Sequence, residues 1–323
     1  VFAALLALSA ALPNDDAATR AAVERATPYL QTAGDRWVEE KNCVSCHRVG
    51  NQLWALGAAA GIGAAGDGRF EERAAWAVAS TLAKTDDDAP AETDDGAPAG
   101  DDDAPAGAAN REGVAQLLLA PGAVPDPAER AALVALLRDG QREDGGWDAG
   151  GQLPMQKRPK AETDVASALW MALALHGEDA ADPAVGRAAA FVDAAGAADS
   201  VEVPAARLLL AAERNEPTVQ DRLIADLRAR QRPDGGWGWL QSEESDALGT
   251  GLALYALLES GVAPDDPAAL AARRFLVDAQ RPDGAWPVRG TKEKSRGRVT
   301  ETASYWGAAW ATAALARSLA DDR

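Results

Sequence analysis

The sequence predicts an all-α fold in which six helix hairpins close into a ring, an α/α toroid with one layer of helices inside and one outside. Three observations predict it. The apolar residues are mostly Ala and Leu, and with Glu and Arg they favour helix, whereas Val, Ile, Thr and Tyr are scarce. The word Q-x-x-D-G-x-W occurs as QREDGGW at 141–147, QRPDGGW at 231–237 and QRPDGAW at 280–286. Their offsets, 90 and 49 residues, read as two repeat lengths and then one. Each word follows an amphipathic helical segment and precedes a polar loop and a second segment of small and apolar residues. One such pair cannot bury its apolar faces alone, so neighbouring pairs must stack.

The pairs are read in chain order. The first is a helix over 15–33 that ends in AGDRW, a worn copy of the turn with Trp37, followed by the loop 42–48 and RVGNQLWALGAAA. The second is RFEERAAWAVASTLAK, a long acidic loop and REGVAQLLLA. The third is PAERAALVALLRDG, its word and ETDVASALWMALAL. The fourth has no word and pairs PAVGRAAAFVDAAG with VEVPAARLLLAA. The fifth pairs VQDRLIADLRAR with ESDALGTGLALYALLES, and the sixth PAALAARRFLVDA with ETASYWGAAWATAALARSL. In each word Asp-Gly ends the outer helix, with Gly free to take positive φ. Gln is expected to bond the exposed carbonyls at that end, and Trp to pack over the neighbouring pair.

These words resemble the QW motifs of the squalene–hopene cyclase and prenyltransferase superfamily. The resemblance runs from about residue 15 to the end, and implies an (α/α)6 toroid of the terpene cyclase/prenyltransferase kind. It does not carry the family's chemistry with it. Class II cyclases protonate substrate through a D-x-D-D motif at the head of an inner helix. The matching words here, AETDVA around Asp164 and EESDAL around Asp246, each keep one acid of three. The zinc ligands of the protein prenyltransferases and the thioester motif of complement-like toroids are missing.

What the chain does carry is Cys43-Val44-Ser45-Cys46-His47, which holds both of its cysteines and one of its two histidines. C-x-x-C-H reads as a covalent c-type haem attachment site. Two thiols about one helical turn apart can add to the two vinyl groups of one haem, and the adjacent His47 then serves as axial iron ligand. The rivals are a redox dithiol, a structural disulfide or half of a zinc site. Zinc would need two further ligands, with only His176 left among Cys and His. A thioredoxin-like dithiol would need a βαβ pattern, and there is none. One haem c is therefore the expected cofactor, held by Cys43, Cys46 and His47.

Aligning NQLWALGA with ASALWMALA puts His47 where Thr163 falls, at the N-terminus of an inner helix. In a toroid of this type the inner helices run the same way and gather their partly positive N-termini at one pole. The haem would hang over that pole, with its propionates welcome there. The loops expected at the pole carry local base: Lys157, Arg158 and Lys160 in the third, and Arg289, Lys292, Lys294, Arg296 and Arg298 in the sixth. Lys157, Arg158, Arg296 and Arg298 are the candidates for propionates, against solvated loop charge or partner docking. For the other face of the iron, Met155 is the candidate ligand because its loop lies at the same pole. Met171 and His176 lie further down the third inner helix, and an open sixth position is the competing outcome.

Charge and the remaining segments bound the rest. The net charge of −18 argues against nucleic acid and anionic membrane surfaces. Residues 85–107 hold nine acids and no base and repeat Asp, Ala, Pro and Gly, so they are expected to be a disordered acidic insertion. Residues 1–11, from VFAALLALSAALP, look like the remnant of a secretory signal whose basic start is absent, with a first buried helix as the alternative. The expectation is thus an exported single toroid domain over 12–323, with no integral membrane segment. It would bear one haem and serve electron transfer with a redox partner protein. A cyclase-like enzyme or small-molecule binder using a cavity lined by Trp54, Trp170, Tyr255, Trp306 and Trp310 is the alternative, and a non-catalytic scaffold a third. The same aromatics at helical spacing also suit plain inner-wall packing.

Overall fold

A computed structural model describes residues 16–42, 44, 48–83, 110–150, 156–295 and 297–320. The acidic insertion and the signal-like start lie outside the described residues. Twelve helices follow in order among those described: α1 Asp16–Lys41, α2 Val49–Gly61, α3 Phe70–Ala83, α4 Arg111–Leu119, α5 Pro127–Asp139 and α6 Lys160–Glu178, then α7 Pro183–Asp193, α8 Glu202–Glu213, α9 Pro217–Arg230, α10 Ala247–Glu259, α11 Pro267–Ala279 and α12 Glu301–Arg317. A short 3-10 turn at Glu293–Ser295 and isolated β-bridges, such as Gln156 with Lys292 and Trp237 with Asp246, accompany them among the described residues. The chain is an (α/α)6 toroid. The even-numbered helices form the inner ring, each packed on the next, and α12 packs back on α2 to close it. The odd-numbered helices lie outside.

Sequence decides which layer a helix joins. The inner helices α6, α10 and α12 are buried along most of their length and around most of their circumference. Outer helices bury one stripe: only Leu133, Val134 and Leu137 of α5, and Leu223 and Leu227 of α9. Outer helices α5, α7 and α11 open on Asp-Pro, with Asp126, Asp182 and Asp266 accepting from backbone N–H groups of the first turn. Two of these caps also fasten neighbours. Arg138 at the end of α5 donates to Asp182 at 2.7 Å, and Arg228 of α9 to Asp266 at 2.7 Å.

The Q-x-x-D-G-x-W words fasten the layers, with roles partly exchanged from expectation. It is Trp that takes a carbonyl left open at the end of its own outer helix. Trp147 Nε1 donates to Leu137 O at 2.7 Å, Trp237 to Leu227 at 2.8 Å and Trp286 to Leu276 at 2.7 Å. Gln reaches across instead. Gln141, Gln231 and Gln280 donate to the carbonyls of Ala184, Ala268 and Ala22 on the next outer helix, at 2.8, 2.9 and 2.9 Å. Each also bonds the carbonyl of the glycine in its own turn. That glycine is left-handed, with φ of 90°, 89° and 86° at Gly145, Gly235 and Gly284. A Cβ there would strike a backbone carbonyl of the neighbouring helix.

The first pair departs from the expectation. AGDRW is not a turn, since α1 runs unbroken through it to Lys41. Here Gly34 precedes Asp35, so no Asp carboxylate sits before a left-handed glycine to stop the helix. Gly34 serves close packing instead: a side chain there would collide with Gln52 and Tyr305. Asp35 pairs with Arg73 and Arg69. The helix stops at Asn42, in the left-handed region at φ 45°, which turns the chain into the 42–48 loop.

Candidate functional site: the inner N-terminal pole

The N-termini of the inner helices meet at one pole, shown by contacts between their first residues. Arg48, which precedes α2, lies 3.5 Å from Glu301 at the start of α12. Arg158, just before α6, pairs with Glu202 at the start of α8. Cys43, Cys46, His47, Met155 and Arg296 lie outside the described residues, but their flanks are fixed. Val44 is buried, and its carbonyl accepts from Asn110 Nδ2 at 2.9 Å. Asn110 caps α4 by accepting from Gly113 N–H at 3.2 Å. Arg48 is 1% exposed, and its guanidinium stands 4.5 Å from the Trp37 ring centroid and 4.9 Å from that of Tyr305. Val44 and Arg48, the described residues in and beside the C-x-x-C-H word, are thus both anchored at the inner pole.

The loop bases have specific positions. Lys157 and Arg158 are not solvated charge: both are buried, Lys157 paired with Glu243 and Arg158 with Glu202, and both lie against the Trp239 ring. Arg158 Nε also donates to Thr163 Oγ1 at 3.2 Å, and Nη1 to Ser200 Oγ at 3.3 Å. Arg298 is exposed. Lys160 binds Asp164 at 3.1 Å, and Arg289 lies 3.2 Å from Glu244. Met171 is fully buried inside α6, and His176 is half-buried in its last turn.

Below the pole lies a pair of acids that motif reasoning did not find. Glu112 of α4 and Glu202 of α8 are each 1% exposed. Glu202 accepts from Trp170 Nε1 at 2.9 Å as well as from Arg158. Ser167 Oγ of α6 donates to Glu112 Oε2 at 3.1 Å, while Oε1 has no partner among the described residues. Burial first, and then the charge of Glu202, push Glu112 up to about 8, with Arg158 and Ser167 acting the other way. Burial and the Glu202 charge both favour the protonated form of this carboxyl. The signal in the sequence is an acid inside the first turn of a mostly apolar inner segment, in NREGVAQ and SVEVP.

Asp164 and Asp246, the residues in the D-x-D-D position, are otherwise engaged. Asp164 is held by Lys160. Asp246 is the N-cap of α10, accepting from Gly249 N–H at 2.7 Å and Trp239 N–H at 3.2 Å. Loss of solvent raises its pKa to about 6 despite those two bonds.

Four aromatic side chains of the inner helices form a cluster. Trp54, Trp170, Tyr255 and Trp310, from four inner helices, meet ring to ring. Trp54 lies 5.0 Å from Trp310, Trp170 stacks on Trp310 at 5.5 Å, and Tyr255 meets both Trp54 and Trp310 edge-on. Trp54 Nε1 donates to Tyr255 Oη at 3.1 Å. Trp306 is not part of this group; it pairs with Trp239 at 6.4 Å. The contacts among these four rings suit the inner-wall packing expected of aromatics at helical spacing.

Among the described residues no three His, Cys, Asp or Glu side chains are arranged to hold a metal ion. No described helix is long and apolar enough to cross a membrane.

Comparison with known proteins agrees with this architecture. The squalene–hopene cyclase N-terminal domain matches residues 207–285, which span α9, α10 and α11. Drimenyl diphosphate synthase of Streptomyces showdoensis is 36% identical over 76 residues, which is 24% of this chain and 14% of that protein. Lanosterol synthase of Mus musculus is 40% identical over 57 residues, 18% of this chain and 8% of that enzyme. The matched segments thus span about a seventh or less of these relatives. Among solved structures, a polysaccharide lyase superposes with a TM-score of 0.65 at 13% identity, covering 94% of this chain and 97% of its own. A glycosyl hydrolase family 88 protein of Bacteroides vulgatus gives 0.60 at 12%, covering 94% and 99%. The type II terpene cyclase MstE of Scytonema, bound to geranylgeranyl dihydroxybenzoate, gives 0.56 at 14%, covering 94% and 98%. At such identities the shared property is the toroid fold.

Proposed function

We propose that the protein is an exported c-type haem protein on a toroid scaffold, serving one-electron transfer with a redox partner protein. The observation that supports it best is the anchoring of the 42–48 loop. Val44, within the word, and Arg48, just after it, are both buried at the pole, which supports a haem site on that side of the ring. Cys43, Cys46 and His47 are the donor set that covalent haem requires, two thiols and an imidazole. Haem bound there supplies a one-electron iron couple. The chain's residues then have separable tasks. Asn110 and Arg48 fix the loop ends. The clustered aromatic rings Trp54, Trp170 and Trp310 give that side of the site an apolar wall. Arg298 and Arg296 are the loop bases left for propionates or a partner, because Lys157 and Arg158 are spent on Glu243 and Glu202. Met155 is the candidate for the sixth ligand, against an open position. The deciding experiment is a pyridine haemochrome spectrum on protein made with a haem-ligation system. A c-type spectrum is expected, and its absence rejects the proposal.

A second reading, acid-initiated chemistry in the manner of a terpene cyclase, is favoured by the match over 207–285 and by the buried Glu112, whose proton is held more tightly than a carboxyl's usual one. Against it stand the ring-to-ring contacts among the inner-wall aromatics and the engagement of Asp164 and Asp246. Incubation with polyprenyl substrates should yield no cyclic product; formation of one that is lost in Glu112→Gln would establish this reading instead.

A further inference from the structure

Each Q-x-x-D-G-x-W word has an arginine after its Gln, and in two of the three words acids of the same turn neutralise it. Arg142 lies 2.7 Å from Asp148 and 3.0 Å from Asp144, and Arg281 lies 3.4 Å from Asp283. Arg232 has no carboxylate within ion-pair distance among the described residues. Its Nε donates to the Glu243 carbonyl at 3.1 Å, and its two terminal nitrogens have no partner there. Both acids that serve Arg142 are lost to Arg232. Asp234, at the place of Asp144, accepts from Ser245 Oγ at 2.8 Å and Gly236 N–H at 3.0 Å. At the place of Asp148 stands Gly238. No side chain fits there, because a Cβ would come within 2.6, 2.7 and 2.9 Å of the carbonyl oxygens of Glu243, Glu244 and Leu240. The backbone N–H of Gly238 also has no acceptor among the described residues.

Arg232 and Gly238 line one cleft, with Arg230, Gln241 and Asp199 around them. One wall is pinned by Val201 N–H on Trp239 O at 2.9 Å and Gln241 N–H on Asp199 O at 3.0 Å. The cleft measures about 240 Å³ with its solvent mouth, which suits the end group of a small molecule. Arg230 is engaged, with Asp226 3.0 Å from its Nε and Nη1 donating to Ala198 O at 3.1 Å. Asp199 is exposed and reaches neither arginine as an ion pair, so it does not fill the vacancy at Arg232. A planar guanidinium with both terminal nitrogens open matches the edge of a carboxylate. Asp148 on Arg142 is this chain's own example of that contact. We propose that the cleft binds the carboxylate of a small external acid, held by Arg232 where the third unit of the ring uses Asp148. The site is made of the fifth unit and its neighbour alone and does not depend on haem.

The experiment is an NMR titration of the full chain at neutral pH that follows the arginine side-chain N–H signals, with acetate and inorganic phosphate as probes. Acetate should shift the Arg232 Nε signal saturably. Arg232→Gln should weaken acetate binding about tenfold or more, the effect of losing charged hydrogen bonds. Arg232→Lys, which keeps the charge and the fold but not the fork, should also weaken it and assigns the signal independently. Asp199→Asn should tighten binding by removing a like charge from the rim. Arg281→Gln, in a word whose arginine has its own acid, should bind as the wild type does. No saturable shift at Arg232, unchanged affinity in both Arg232 variants, or tighter binding of phosphate than of acetate overturns the inference.

Discussion

Gln280 donates its side-chain amide to the Ala22 carbonyl at 2.9 Å and so fastens the last outer helix, α11, to the first, α1. Arg25 of α1 donates in return to Gln280 Oε1 at 2.7 Å. The ring is closed by the same device that joins its other units, Gln231 to Ala268 and Gln141 to Ala184. Gln280→Ala should cost about 2 kcal/mol or more, since it removes the bonds to Ala22 and Gly284 and both from Arg25. Hydrogen exchange should rise first in α1 and α11. Faster exchange confined to α9 would show that closure does not depend on this clamp.

Trp237 and Trp286 are 1% exposed, and each satisfies a helix-end carbonyl. Truncation to Ala at either should cost about 3–5 kcal/mol in urea denaturation. A loss under about 1 kcal/mol would mean that the words do not hold the layers together.

Gly284→Ala should destabilise by more than about 1 kcal/mol, because the position combines φ of 86° with a backbone carbonyl where Cβ would stand. Gly61, which has open space around its missing Cβ and an ordinary φ, is the control; its change to Ala should be neutral in the same thermal melt.

Glu112 makes stability depend on pH with a defined sign. Its folded pKa is raised, from 4.5 to about 8, so between those values the unfolded chain has released a proton that the folded protein retains. Stability should therefore fall as pH rises through that interval, by up to about 1.4 kcal/mol per unit. Asp246, raised to about 6, adds a slope of the same sign below pH 6. The diagnostic interval is thus pH 6–8, where Glu112→Gln should flatten the melting temperature. An unchanged slope in the variant would show that another group is responsible.

The legibility of the sequence follows from what each feature depends on. Repeats and periodicity fix which segments are helices and which face buries, so the hairpin order could be read directly. Polarity within the turns could not. Whether Gln141 or Trp147 takes the Leu137 carbonyl depends on the separation of neighbouring helices, which no single repeat encodes. AGDRW misled because its Gly34 answers a contact with Gln52 and Tyr305, residues far along the chain from it. The burial of Lys157 and Arg158 depends on Glu243 and Glu202, which come from other repeats. Glu112 and Glu202 become a pair only once α4 and α8 flank α6.

The central claim is the covalent haem on the pole loop, and intact-mass spectrometry of denatured protein made with a haem-ligation system tests it most directly. The account predicts the mass of the chain plus one haem, with the addition lost when Cys43 and Cys46 are both changed to Ser. A spectrum showing only the mass of the bare chain would contradict it.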